Sequence, residues 1–197
     1  MTSRPWRSIA VLGALVATLA ALASGAGVFL RGDLATTEIV TPRGETVDLL
    51  VGGVYRWNSV NVAAEGAGWD VVTLFVVVPA FLVLLPAVAR GSLRAILAAT
   101  GALVYFLYQY FEYATYLAYG PLFLLYVATF ALSLATIVLI IAQLPFDEVA
   151  ARFTGAFPRR GVAAFGVFMA VLLAGMWLPL IAASAGGDVD GVLYGAT

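Results

Sequence analysis

The sequence predicts an all-α integral membrane protein, a bundle of five transmembrane helices at about 8–30, 71–89, 93–119, 121–142 and 161–185, in a single membrane domain over 1–197. Three observations lead there. Of 197 residues, 63% are hydrophobic and 11% are charged, whereas a soluble domain carries about 25% charged residues. Mean hydropathy is +1.02. The apolar residues also fall in runs of the ~20 residues that a helix needs to cross a bilayer.

The first run, Ser8 to Leu30, follows Arg4 and Arg7. A basic start, an apolar core and small residues at Ala21-Leu22-Ala23 would suit a cleaved signal peptide. Continuation through Val28-Phe29-Leu30 favours a retained helix. Gly13, Ala17, Ala21 and Gly25 recur every four residues, a stripe that permits close helix contact.

Residues 31–68 are polar, and 31–70 is expected to form an extracytoplasmic insert. Three short strands are predicted. Thr37–Val40 leads into a Pro42-Arg43-Gly44 turn; Glu45–Val51 alternates; Gly52-Gly53 suits a two-residue hairpin loop before Val54–Trp57. The result is a β-hairpin or meander cap on the membrane face.

Asp70 is placed to cap the second span at its N-terminus. Pro79 and Pro86, seven residues apart, share a face of it. Arg90-Gly91-Ser92-Leu93-Arg94 forms a tight turn into the third span. Gly120-Pro121 ends that span and starts the fourth, so the two make an antiparallel hairpin. Tyr126, Thr129, Ser133 and Thr136 share a narrow arc of the fourth span. Their hydroxyls are helix-packing candidates, worth ~0.6 to 2 kcal/mol in a bonded pair across a membrane interface. After Pro145, the apolar residues Phe146, Val149, Ala150 and Phe153 predict an interfacial amphipathic helix near 145–154. Arg159-Arg160 precede the fifth span. The tail carries Asp188-Val189-Asp190-Gly191, which lacks the closing ligands of a calcium loop.

Absences narrow the chemistry. The chain has no Cys and no His, and all 10 basic residues are Arg. Thiolate and imidazole metal sites, a P-loop lysine, a Schiff base and a Ser-His-Asp triad are therefore excluded. No metal site and no cofactor is expected. The net charge of −1 gives no basic footprint for nucleic acid. Seven Arg lie in the N-terminal segment, the 90–94 turn and the 143–160 loop, against three beside five acidic residues in 31–68. The positive-inside rule then places the N-terminus in the cytoplasm, and the 31–68 loop and C-terminus outside the plasma membrane.

The third span holds six of the nine tyrosines, between Tyr105 and Tyr119. At 100° per residue, Tyr105, Tyr108, Gln109, Glu112, Tyr116 and Tyr119 share one face. Glu112 is the one carboxylate placed well inside an apolar run. An intramembrane ionisable residue is a functional hypothesis by default. Here it would be met by hydrogen bonds, by a water-filled cavity, or by Arg56 or Arg43 from the cap. Two alternatives stay open: an interfacial aromatic belt at Tyr116 and Tyr119, and helix fastening by Gln109 and Glu112.

Five segments carry a likeness. They are Gly44–Val47 with Gly53–Arg56, Asp70–Leu74, Arg90–Arg94, Tyr105–Tyr108 and Leu124–Ala128. Over about residues 40–140 the chain resembles a family of uncharacterised multi-pass membrane proteins from GC-rich bacteria. The resemblance implies a helical membrane fold with no established activity, and relatives that continue for further helices after the fifth.

The expected function is non-enzymatic: binding a lipid, an apolar small molecule or a partner membrane protein. Glu112, Gln109, Tyr105, Tyr108 and Tyr116 would supply the polar contacts. Partners are the lipid bilayer and a second copy or another membrane protein. The alternative is a subunit of a transporter or channel with Glu112 as proton- or cation-coupling group. A carboxylate-only intramembrane enzyme is a third reading, weakened by the lack of paired acids within the spans.

Overall fold

A computed structural model gives the fold and describes residues 4–41, 44, 46–152 and 158–186. The chain divides into two compact units, Met1–Pro145 and Phe146–Thr197.

The first unit begins with α1, Arg4–Phe29. Strands β1, Thr36–Val40, and β2, Thr46–Leu50, pair antiparallel, with Thr36 opposite Leu50 and Val40 opposite Thr46. Helix α2, Val60–Val72, passes through a π-helical turn at Thr73–Val77 into α3, Val78–Ala89. Helices α4, Leu93–Tyr116, and α5, Phe123–Gln143, complete it. Helix α1 packs on α2, α3 and α5, and α4 packs on α3 and most extensively on α5. The core between them is apolar and aromatic: Trp6, Val16, Phe81, Ile96, Leu103 and Phe106 are each almost fully buried. Phe81 and Phe106 meet edge to face with centroids 5.5 Å apart.

Two expectations change here. The second span starts eleven residues early, at Val60 instead of 71, with Ser59 rather than Asp70 as its N-cap; the Ser59 side chain accepts from the Val62 N–H at 3.4 Å. Asp70 is therefore an interior helix residue, 2% exposed. Gly66 and Gly68 make this stretch read as loop, since glycine weakens a helix. Packing of the α2 face carrying Ala63, Gly66 and Ala67 against the cap overrides that propensity.

The third strand does not form. Val54–Trp57 is a run of turns. The Val54 N–H bonds to the Leu30 carbonyl at 3.1 Å and the Trp57 N–H to the Leu50 carbonyl at 2.8 Å, so no strand ladder remains to be made. Trp57 has φ 69°. The folded-back loop drives Tyr55 inward, where it is 2% exposed. Pro42, Arg43 and Glu45 lie outside the described residues.

The second unit contains α6, Phe146–Arg152, and α7, Arg159–Ala185. Phe153 and the Asp188–Gly191 tail lie outside the described residues. Both faces of α7 are apolar and exposed, including Phe165, Phe168, Leu172 and Trp177.

Among the described residues four helices are long and apolar enough to cross a membrane: Pro5–Phe29, Val60–Ala89, Phe123–Gln143 and Arg159–Ala183. The expected five become four on this measure. Helix α4 has 24 residues, but its tyrosines, Gln109 and Glu112 lower its hydropathy.

Candidate functional site

One cluster of buried polar groups in the first unit is centred on Asp70. Asp70 lies twenty residues from Arg90, about 30 Å along the helix at 1.5 Å per residue. Gly27 is twenty residues from Arg7, and Tyr113 nineteen from Arg94. These three residues therefore share a level about one hydrocarbon thickness from the arginine end.

Tyr55 of the cap donates its phenol to Oδ2 of Asp70. The Tyr113 hydroxyl donates to the Gly66 carbonyl at 2.7 Å and lies 3.3 Å from Oδ1 of Asp70. Arg31 is held by its Nε–H on the Gly27 carbonyl at 3.1 Å, which brings a positive charge within electrostatic reach of Asp70. The glycines are part of the fit. A Cβ on Gly27 would run into the Asp70 carboxyl group, and one on Gly66 would stand 2.8 Å from Cε1 of Tyr55. Burial pushes the Tyr55 phenol above its ordinary value, and the neighbouring Asp70 charge pushes it further. Asn58 finishes the junction: its Oδ1 accepts the Ala118 N–H at 2.9 Å and its Nδ2 donates to the Tyr55 carbonyl at 3.1 Å. The cap is thus tied to α2 and the end of α4 through one carboxyl group and one amide, and to the end of α1 by the Val54 N–H on the Leu30 carbonyl.

The sequence-derived site residues fall in three places. Tyr105 turns to the π-helical turn, its hydroxyl 2.7 Å from Oγ1 of Thr73 and its ring 6.5 Å from that of Trp69. Gln109 lies on α4 midway in angle between Tyr105 and Tyr113. It is 2% exposed, and its Nε2 has no hydrogen-bond partner among the described residues. Glu112 is half-buried; Tyr108 and Tyr116 are exposed. Of the six residues expected on the polar face of α4 only Gln109 is buried, while Tyr108, Tyr116 and Tyr119 are exposed; the buried face is that of Leu103, Phe106, Tyr110 and Tyr113. On α5, Tyr126, Thr129, Ser133 and Thr136 are all buried. The three hydroxyls of Thr129, Ser133 and Thr136 donate at 2.7 Å to the carbonyl four residues back, and so stay within their own helix. Tyr126 instead packs by its ring, edge to face with Tyr113 at 5.1 Å.

No protein-family model matches the chain, and neither the curated proteins nor the solved structures include a significant match. The geometry therefore carries the functional argument by itself.

Beside the Asp70 cluster, a shallow depression opens between α2 and α4. Val62, Glu65 and Trp69 form one wall and Glu112, Tyr116 and Leu117 the other, with Gly66 and Tyr113 behind. Glu65 and Glu112 are close enough for their charges to interact. Among the described residues no group of three or more His, Cys, Asp or Glu could hold a metal ion. Tyr55 and Tyr113 were not among the candidate site residues read from sequence, and Asp70 was read only as an N-cap. A carboxylate one hydrocarbon thickness from an arginine turn was the available signal for Asp70.

Proposed function

We propose that the chain is a non-enzymatic multi-pass plasma-membrane protein that binds a lipid or apolar ligand in the depression between α2 and α4. On this reading α1, α2–α3, α4, α5 and α7 each cross the bilayer. Helix α4 is about 36 Å long at 24 residues, enough to span, and its buried face is fully apolar or aromatic below Gln109. The arginine end is cytoplasmic and the cap extracytoplasmic, as the charge asymmetry favours.

One observation carries the reading. The depression lies at the cap junction, at the level expected for the outer interface, and combines exposed rings with two carboxylates. Its walls are helices that the Tyr55–Asp70–Tyr113 cluster holds in place, which is the rigid support a binding site needs. Glu112 lines this surface rather than the core, which favours binding over transport coupling. Native mass spectrometry of protein extracted in mild detergent tests it. Bound lipid or apolar ligand is expected in the wild type and reduced in Trp69→Ala/Tyr116→Ala. Equal occupancy in the two would remove the depression as the site.

A further inference from the structure

The lining of the depression specifies more than an apolar occupant. Among the described residues it contains two acidic side chains, Glu65 and Glu112, and no basic one. Trp69 is 40% exposed and Tyr116 59% exposed, so both rings are accessible in the same lining as these acids. Among the described residues neither carboxylate makes an ion pair. An ammonium group is attracted to such ring faces within about 6 Å and to carboxylates at the same time. An anionic headgroup would be repelled.

The position selects the source of that ammonium. Glu112 is eighteen residues from Arg94, about 27 Å along α4. Glu65 lies further out, one turn and a residue beyond Asp70. Together they bracket the boundary between hydrocarbon and headgroups when the arginine end occupies the other boundary. One turn inward from Glu112, Tyr108 is exposed; three residues inward from Trp69, Val72 is exposed too. An acyl chain extending inward from the depression would meet these exposed side chains.

We propose that this depression is a docking site for a phospholipid with an ethanolamine headgroup, whose ammonium sits between Glu65 and Glu112 against Trp69 and Tyr116. The proposal rests on the binding function above and names its ligand class. The site recognises charge at the headgroup and is permissive about the chain.

The test reconstitutes the full chain in mixed vesicles of equal phosphatidylethanolamine and phosphatidylglycerol, extracts it, and counts retained lipid by native mass spectrometry. The wild type is expected to retain the ethanolamine lipid about tenfold over the glycerol lipid, and Glu65→Gln/Glu112→Gln about equally. Glu65 is exposed, so Glu65→Gln alone keeps the fold and should lower the preference about threefold. Glu38→Gln, on β1, should leave it unchanged. Equal retention of both lipids by the wild type would overturn the ammonium assignment while leaving the binding function standing. A preference that survives both the single and the double change would overturn it as well. Retention of neither lipid would overturn both.

Discussion

The phenol of Tyr55 is bonded to the carboxyl group of Asp70, fifteen residues further along the chain, and both side chains are 2% exposed. This contact joins the cap to the helices, because Tyr55 belongs to the loop after β2 and Asp70 to the interior of α2. Tyr55→Phe leaves a buried carboxyl oxygen without its donor and is expected to cost about 1–3 kcal/mol. Asp70→Leu, which strands the Tyr55 phenol, should cost at least as much, and Asp70→Asn less, since an oxygen acceptor remains. The checks are unfolding midpoints in detergent and the rate of tryptic cleavage at Arg56, which should rise as the cap loosens. A Tyr55→Phe protein with an unchanged midpoint and cleavage rate would show that the contact holds nothing.

That contact marks where reading from sequence stops. The long apolar runs were legible because the bilayer requires ~20 residues in register, and α1, α5 and α7 fall within a few residues of expectation. Helical periodicity placed Tyr105 and Gln109 on one side of α4, but it singled out a face whose Tyr108, Tyr116 and Tyr119 are exposed and passed over the buried face of Phe106, Tyr110 and Tyr113. Asp70 was misread because its neighbours are ambiguous. A carboxylate before an apolar run has the form of an N-cap, and Gly66 and Gly68 before it have the form of a loop. Only the Tyr55 ring lying against Gly66 explains why glycine suits a helix there. Tyr113 and Tyr55 were missed because their partners lie 43 and 15 residues away, separations that no local spacing encodes. Glu112 drew attention for lying in an apolar run. Its depth depends on where α2 begins, which the sequence hid.

Gly27 and Gly25 separate space from propensity. A methyl on Gly27 would meet the Asp70 carboxyl group, whereas nothing lies within 4 Å of one on Gly25. Gly25→Ala should be neutral or stabilise by up to about 1 kcal/mol, as expected for removing glycine from a helix. Gly27→Ala should destabilise by about 1–3 kcal/mol through overpacking. Thermal unfolding of the two variants side by side decides it. Equal midpoints would mean that Asp70 moves aside without cost and that the cluster is looser than its burial indicates.

Gln109 offers a change in the other direction. Its Nε2 is buried without a partner among the described residues, and an unmet buried amide carries a desolvation cost that its own packing does not offset. Gln109→Met preserves length and removes that amide, so stability should hold or rise by roughly 1 kcal/mol. Gln109→Ala opens a cavity between Tyr105 and Tyr113 and should lose about 1–3 kcal/mol. If Gln109→Met instead destabilises by that amount, the amide has a partner in the membrane, such as an ordered water, and the buried side of α4 at Gln109 is wet.

The alkaline limb of the stability curve should carry the signature of Tyr55. Burial and the Asp70 charge raise this phenol above its ordinary value, so the folded chain keeps it protonated where the unfolded chain, near pH 10, does not. Above about pH 10 the unfolded state binds fewer protons than the folded one, and stability must fall as pH rises. The contribution is complete below that pH and is lost through the interval up to the folded value. Tyr55→Phe has no proton to lose at this position. Its deficit relative to the wild type should therefore shrink above pH 10, by at most about 1.4 kcal/mol per pH unit for one proton. Equilibrium unfolding of both proteins between pH 8 and pH 11, in the same detergent, gives the two slopes directly. Parallel curves would mean that Tyr55 ionises as freely in the folded chain as in the unfolded one, which is incompatible with a phenol closed against Asp70 beneath the cap.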